Sequence, residues 1–231
     1  MQIFGLQKTT LLDYPGKLAS IIFTAGCNMN CPFCHNSELI TLPKSGAIDE
    51  GEVLNHLEKR RSALEGIVIT GGECTLQKDL LDFCKKVKSL GYQIKIDTNG
   101  TFPDVLKNLV SEKLIDYVAM DIKNSKMKYA LTCGTDNIAL DKIQESIDFL
   151  MEKNVEYEFR TTVISQYHNI QDMKEIGKWI KDADVLYLQP FKDSDAVRNK
   201  ELTAPTKEEM LAYQDLLLNY IHHVEIRGMD L

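Results

Sequence analysis

The chain has few long apolar runs, one tryptophan and no excess of positive charge, and each shortage excludes a class of protein. No stretch approaches the roughly 18 uninterrupted apolar residues that a bilayer crossing requires. Lys8, Asp13 and Lys17 interrupt the region where a secretory leader would place its apolar segment, so a cytoplasmic protein is expected. With 27 Lys and Arg against 34 Asp and Glu, the formal charge of the 231 residues is −7. A nucleic-acid binder would present a basic face, so neither nucleic acid nor membrane is expected as a partner. Six Pro and 13 Gly gather in no low-complexity tract or linker, and no internal repeat is visible. What is present is ordinary globular composition, 44% hydrophobic and 26% charged, at a length suited to one domain over residues 1–231.

Apolar, β-branched runs alternate with segments of helical period. Strands are predicted over Leu18–Thr24, Gly66–Thr70, Gln93–Asp97, Tyr117–Asp121, Tyr157–Ile164 and Val185–Leu188. Helices are predicted over Asp49–Leu64, Leu76–Leu90, Pro103–Glu112, Leu140–Lys153, Ile170–Asp182 and Thr206–His222, with Val224–Arg227 as a short last strand. A parallel connection needs a crossover of a dozen or more residues, which these helices supply. The expected fold is α/β: a partial (β/α)6 barrel over residues 18–200, because a closed eight-unit barrel usually takes about 250 residues. Residues 1–17, with Asp13-Tyr14-Pro15-Gly16 as a turn, form an N-terminal extension, and residues 201–231 supply the last helix and strand.

In a reducing compartment, six cysteines are thiols, metal ligands or redox groups rather than disulfides. Three of them follow the first strand as Cys27-x3-Cys31-x2-Cys34. A structural zinc site takes four ligands, commonly from two separated C-x2-C pairs, and no second pair exists. His35, adjacent to Cys34, would have to bend back sharply to serve as a fourth ligand. Three thiolates from one loop suit a four-iron cluster whose fourth iron keeps an open position. Cys84 lies on the buried stripe of its helix as a small hydrophobe, and Cys74 and Cys133 are read as incidental. His222-His223 is read as a helix-end cap.

With Phe33 before the last cysteine, this loop resembles the signature of the radical S-adenosylmethionine enzymes. The resemblance implies one 4Fe–4S cluster on Cys27, Cys31 and Cys34, and S-adenosylmethionine chelated to the open iron by its amino and carboxylate groups. One electron then cleaves the sulfonium to methionine and a 5′-deoxyadenosyl radical. Phe33 would lie against the adenine.

Ligands of parallel α/β folds bind at the carboxyl ends of the strands, so those exits carry the remaining candidates. The second strand exits into Thr70-Gly71-Gly72-Glu73, which resembles the family's segment for the amino group of S-adenosylmethionine, although Cys74 stands where proline is usual. The third and fourth strands exit at Asp97-Thr98 and at Asp121-Ile122-Lys123, and both are similar to glycyl-radical activating enzymes. On that resemblance Asp97, Thr98 and Asp121 contact the amino group or a monovalent cation, and Lys123 pairs with the methionyl carboxylate. Arg160, in an otherwise apolar strand, is costly to bury unpaired and is expected to face an anion in the barrel interior. Lys192 replaces a histidine that approaches the ribose in related activases.

The segment Gly5–Lys17, with Phe23–Cys27 and Cys31–Asn36, is similar to the compact activating proteins of anaerobic ribonucleoside-triphosphate reductase. The implied partner is that reductase, whose glycine Cα loses hydrogen to leave a glycyl radical, and the implied electron donor is a flavodoxin or ferredoxin. The alternatives are an activase of another glycyl-radical enzyme, a small-molecule enzyme such as 7-carboxy-7-deazaguanine synthase, and a non-catalytic iron-sulfur carrier.

Overall fold

The structure, a computed structural model, describes residues 1–229; Asp230 and Leu231, inside the expected C-terminal segment, lie outside the described residues. Strand patterning decides the architecture. In β4 (Gln93–Thr98) Ile94 and Ile96 are fully buried on the helical side, while Lys95 and Asp97, one position out of phase, point into the concave interior. The same alternation holds in β5 (Tyr117–Asp121) and β6 (Glu156–Val163), where Val118, Met120 and Phe159 are buried against the helices and Tyr117, Glu158, Asp121 and Arg160 join polar pairs. Each fully buried isoleucine on the helical face contributes roughly 1.5–3 kcal/mol, enough to fix which face turns inward.

With β2 (Ala19–Thr24), β3 (Gly66–Gly71) and β7 (Val185–Pro190), these strands pair in parallel in chain order. The helices are α1 (Glu50–Arg60), α2 (Leu80–Ser89), α3 (Pro103–Ser111), α4 (Tyr129–Cys133), α5 (Leu140–Met151), α6 (Ile170–Trp179) and α7 (Lys207–Leu217). Local chemistry marks their starts. Asp49 accepts from Gly51 N ahead of α1, Pro103 opens α3, and Asn169 with Asp172 and Thr206 with Glu209 close capping boxes on α6 and α7.

The partial barrel is present, with the six expected strands, the expected short last strand and one further strand. The N-terminal extension is itself strand β1 (Ile3–Thr10), antiparallel to β2 from Ile3 opposite Thr24 to Thr10 opposite Ala19. Register shifts on both sides of its middle break the period-2 pattern, which conceals it in the sequence. At the other edge, β8 (His223–Ile226) pairs in parallel with β7. α7 ends at Leu217, so His223 opens a strand, and His222-His223 does not cap that helix. α2 begins at Leu80 rather than Leu76, because Cys74–Leu76 forms a separate 3-10 turn. The sheet order runs β1 to β8 without a β1–β8 pair, so the barrel is open along one side. At its base Tyr14 packs on Ala19, Ile21 and Val68, closing the end opposite the strand exits.

Candidate active site

The cysteine loop leaves β2 and is held from several directions. Its entry is paired by Gly26 N to Leu39 O (2.8 Å) and Cys27 N to Ile40 O (2.9 Å). Asn28 Nδ2 donates to Thr101 Oγ1 (2.9 Å), and Asn99 Nδ2 donates to Asn28 Oδ1 (2.9 Å). On the outside, Arg198 donates to the Asn30 side chain at 2.6 Å and to the Asn30 and Cys31 carbonyls at 3.1 and 3.4 Å. Cys27, Cys31, Phe33 and Cys34 line one cavity of about 190 Å3, open to solvent on one side, together with Gly71, Gly72, Glu73, Asp97, Thr98, Asp121, Lys123 and Arg160. Residues from the loop and from four successive strand exits therefore converge, as the sequence predicts.

Gly71 and Gly72 form the closest backbone approach. Gly71 has φ +109°, and a Cβ on Gly72 would fall 2.2 Å from the Gly26 carbonyl oxygen, so only glycine lets this turn lie against the cysteine loop. Glu73 is 1% exposed and fully engaged: Oε1 accepts from Thr75 N (3.1 Å), Thr75 Oγ1 (2.5 Å) and Thr98 Oγ1 (2.7 Å), and Oε2 accepts from Asn99 N (2.7 Å). Burial pushes its carboxyl above the ordinary value, while these donors oppose the shift.

The floor is a charge ladder. Lys95 Nζ lies 2.5 Å from Asp97 Oδ1, and Arg160 reaches Asp97 Oδ2 at 3.2 Å and Asp121 Oδ1 at 2.9 Å. Lys123 Nζ sits 2.8 Å from Asp121 Oδ2 and 5.8 Å from the centroid of the Phe33 ring. Burial disfavours the Asp121 carboxylate, but Arg160 and Lys123 outweigh it and hold its pKa at about 2. Asp97 is lowered in the same way, with Arg160 and Lys95 overcoming burial. Lys123 is raised, because Asp121 and Cys31 outweigh its desolvation. Three cations against two carboxylates leave the ladder with one surplus positive charge, which faces the Glu73 carboxyl in the same cavity.

One expected residue falls elsewhere. Lys192 does not line the cavity: it is exposed, its Nζ points toward Gly228, and its carbonyl oxygen lies 2.6 Å from His35 Nε2. That bond engages the Nε2 side of His35, whose side chain also lines the cavity. Cys74 and Cys84 are fully buried; Cys74 Sγ donates to Asp97 O (3.3 Å), and burial pushes the Cys84 thiol up to about 12. Cys133 is the exception among the cysteines read as incidental, since its carbonyl oxygen accepts from the backbone N–H of Asn30 (2.9 Å), the residue before Cys31. The neighbouring Cys133 thiol leads the influences lowering Cys31 to about 7, whereas burial raises Cys27 to about 11 and also raises Cys34.

The donor set discriminates between metals. Three thiols open onto one cavity, yet among the described residues no three Cys, His, Asp or Glu side chains converge on the position of a single metal ion. A zinc ion needs such convergence, whereas in a polynuclear cluster each cysteine binds a different iron. The loop therefore fits a 4Fe–4S cluster with one iron free of protein ligands.

Residues 21–180 match the model of the radical SAM superfamily. Along 99% of its length the chain is 37% identical to a Methanocaldococcus jannaschii protein provisionally named as a glycyl-radical enzyme activating enzyme, of which 96% is covered. It is 24% identical, over 82% of each chain, to the pyruvate formate-lyase-activating enzyme of Clostridium pasteurianum. In fold it is similar to a domain of the pyruvate-formate lyase-activating enzyme of Bacteroides vulgatus (TM-score 0.58, 17% identity, covering 71% of this chain and 99% of that one). The chain belongs to the radical SAM superfamily, an enzyme class that uses a 4Fe–4S cluster and S-adenosylmethionine, and its relatives there include proteins named as glycyl-radical enzyme activating enzymes.

Met29, His35, Asn36, Ile40, Thr70, Asn99 and Thr162 also line the cavity without having been assigned to it. Asn99 follows Asp97-Thr98 directly, and Thr70, His35 and Asn36 stand inside the Thr70–Glu73 and Cys31–Asn36 segments, so each lay next to an assigned residue. Met29, Ile40 and Thr162 carry no motif of their own.

Proposed function

We propose that the chain activates anaerobic ribonucleoside-triphosphate reductase by removing hydrogen from a glycine Cα of that enzyme. The observation that carries the reading is the open barrel, whose unpaired β1 and β8 edges leave the cavity accessible to a peptide loop, in a chain homologous along 99% of its length to a protein named as an activase. The assignment to the reductase rests on the resemblance of Gly5–Lys17 and Cys31–Asn36 to the compact reductase activases.

Cys27, Cys31 and Cys34 hold the cluster. Gly71, Gly72 and Glu73 receive the amino group of S-adenosylmethionine, with Asp97, Thr98 and Asp121 behind them. Lys123 and Arg160 supply the positive charge that its carboxylate needs, and Phe33 offers its ring to the adenine. With cluster and cofactor bound, the site supplies a 5′-deoxyadenosyl radical. The protein orients the cofactor, admits the glycine and excludes solvent. A flavodoxin or ferredoxin supplies the electron.

The test is isotopic. Reductase labelled with deuterium at glycine Cα should transfer deuterium into 5′-deoxyadenosine, and unlabelled product despite turnover would refute the reading. A second reading has its own support, 27% identity over 67% of the chain to the 7-carboxy-7-deazaguanine synthase of Thermoplasma acidophilum. Formation of 7-carboxy-7-deazaguanine, with no label transfer from the reductase, would favour it.

A further inference from the structure

The segment that follows β7, Lys192–Asn199, runs back across the outside of the cysteine loop and is tied to it along its length. The Lys192 carbonyl lies 2.6 Å from His35 Nε2, the Ala196 carbonyl accepts from Ser37 Oγ at 2.5 Å, and Asn199 N donates to Pro32 O at 3.3 Å. Val197, 1% exposed, anchors the segment in the core. Beside it Arg198 reaches the loop between the first two cysteines: its Nη2 donates to Asn30 Oδ1 at 2.6 Å, to Asn30 O at 3.1 Å and to Cys31 O at 3.4 Å. From the other side α4 presses on the same residue. The Cys133 carbonyl accepts from Asn30 N at 2.9 Å, and Gly134, at φ +63°, comes so close that a Cβ there would fall 2.3 Å from Asn30 O. Asn30 and the backbone of Cys31 are thus held between the end of α4 and one arginine.

We propose that Arg198 is a positioning residue for the iron-sulfur cluster, holding the Asn30 and Cys31 carbonyl groups outward so that the loop presents its thiols, and not its carbonyl oxygens, to the irons. A cluster bound by thiolates is rich in negative charge, so a carbonyl oxygen turned toward it is repelled and a peptide N–H turned toward it is favoured. The peptide unit is planar and trans, so once the Asn30 carbonyl is fixed on Arg198 the Cys31 N–H points the opposite way. Arginine suits the task because its guanidinium is always charged and carries several donors in a rigid plane, which one ammonium does not reproduce. Lys200, two residues further on, offers the contrast: its Nζ bonds to Ser194 O at 2.6 Å and Asp193 Oδ1 at 3.4 Å, both on its own segment.

The inference rests on Cys27, Cys31 and Cys34 being the cluster ligands, and one set of holoproteins separates the two claims. Wild type, Arg198→Met, Arg198→Lys and Lys200→Met are reconstituted anaerobically, assayed for iron and sulfide, and challenged with excess EDTA while cluster loss is followed by its visible absorption. Met keeps the apolar stem and removes the donors, so its cluster should be lost about tenfold faster than that of wild type, the factor expected for one charge-assisted hydrogen bond. Arg198→Lys, which restores a charged donor, should stay within about threefold of wild type, and Lys200→Met within about twofold. The Tm of the cluster-free proteins should agree within about 2 °C, because Arg198 is exposed and its task is set by the cluster. Equal rates in Arg198→Met and wild type would overturn the proposal. So would a loss in Arg198→Met that Lys does not rescue, that Lys200→Met shares, or that a matching fall in apoprotein Tm accompanies. A wild type that holds no cluster would overturn the ligand assignment itself, and this inference with it.

Discussion

Arg160→Met isolates the charge ladder, because it keeps side-chain length and removes the group that, among the described residues, bridges Asp97 and Asp121. Breaking a buried pair by deleting one partner costs about 3–5 kcal/mol; Lys95 and Lys123 remain on the two carboxylates, so the loss should lie near the lower figure. For a chain of this size, about 3 kcal/mol corresponds to a fall in Tm of roughly 6–12 °C. The pH dependence identifies the source. Asp121, held at about 2 against an ordinary 3.8, contributes about 2 kcal/mol of stability. Because its folded pKa is depressed, that contribution is complete above 3.8 and is lost as pH falls through about 2, with about half gone by pH 3. The gap between wild type and variant should therefore be widest at pH 7 and narrow markedly by pH 3. Urea denaturation of the reduced, cluster-free proteins, followed by far-ultraviolet circular dichroism at pH 7, 5 and 3, measures it. A variant within about 0.5 kcal/mol of wild type at pH 7, or a gap unchanged down to pH 3, would refute the reasoning.

Alanine at Cys27, Cys31 or Cys34 should abolish cluster binding and cleavage of S-adenosylmethionine, while Cys84→Ala keeps its iron; iron analysis and assay of 5′-deoxyadenosine decide both. Gly72→Ala places a methyl group 2.2 Å from the Gly26 carbonyl, so it should lower thermal stability and weaken S-adenosylmethionine binding by at least about tenfold, read by calorimetry. Lys192→Ala should leave cofactor affinity within about twofold of wild type, because its ammonium lies outside the cavity, whereas Lys123→Ala should weaken it by about tenfold or more.

Much of this site was legible in the sequence because its chemistry is concentrated at short spacings. The six parallel strands followed from β-branched runs, and eleven expected residues besides Phe33 line the cavity because parallel strands deliver their exits to one end. The misses have physical causes. β1 was hidden by its register shifts, and α4, five residues long, is too short to show a helical period. Cys133 was read as incidental because its backbone contact with Asn30 spans about a hundred residues of chain and exists only once α4 has packed on the loop. Lys192 was misplaced because the sequence gives its position along the chain but not its direction at the end of β7, where the side chain turns to solvent.

The central claim is that this chain generates a glycyl radical on a partner protein. The direct measurement is electron paramagnetic resonance of the anaerobically reconstituted enzyme mixed with S-adenosylmethionine, reductant and anaerobic ribonucleoside-triphosphate reductase. The account predicts a stable glycyl radical on the reductase, absent when Cys31→Ala replaces the wild type. No radical on this reductase or on any other glycyl-radical enzyme, with the cluster intact and S-adenosylmethionine still cleaved, would contradict it.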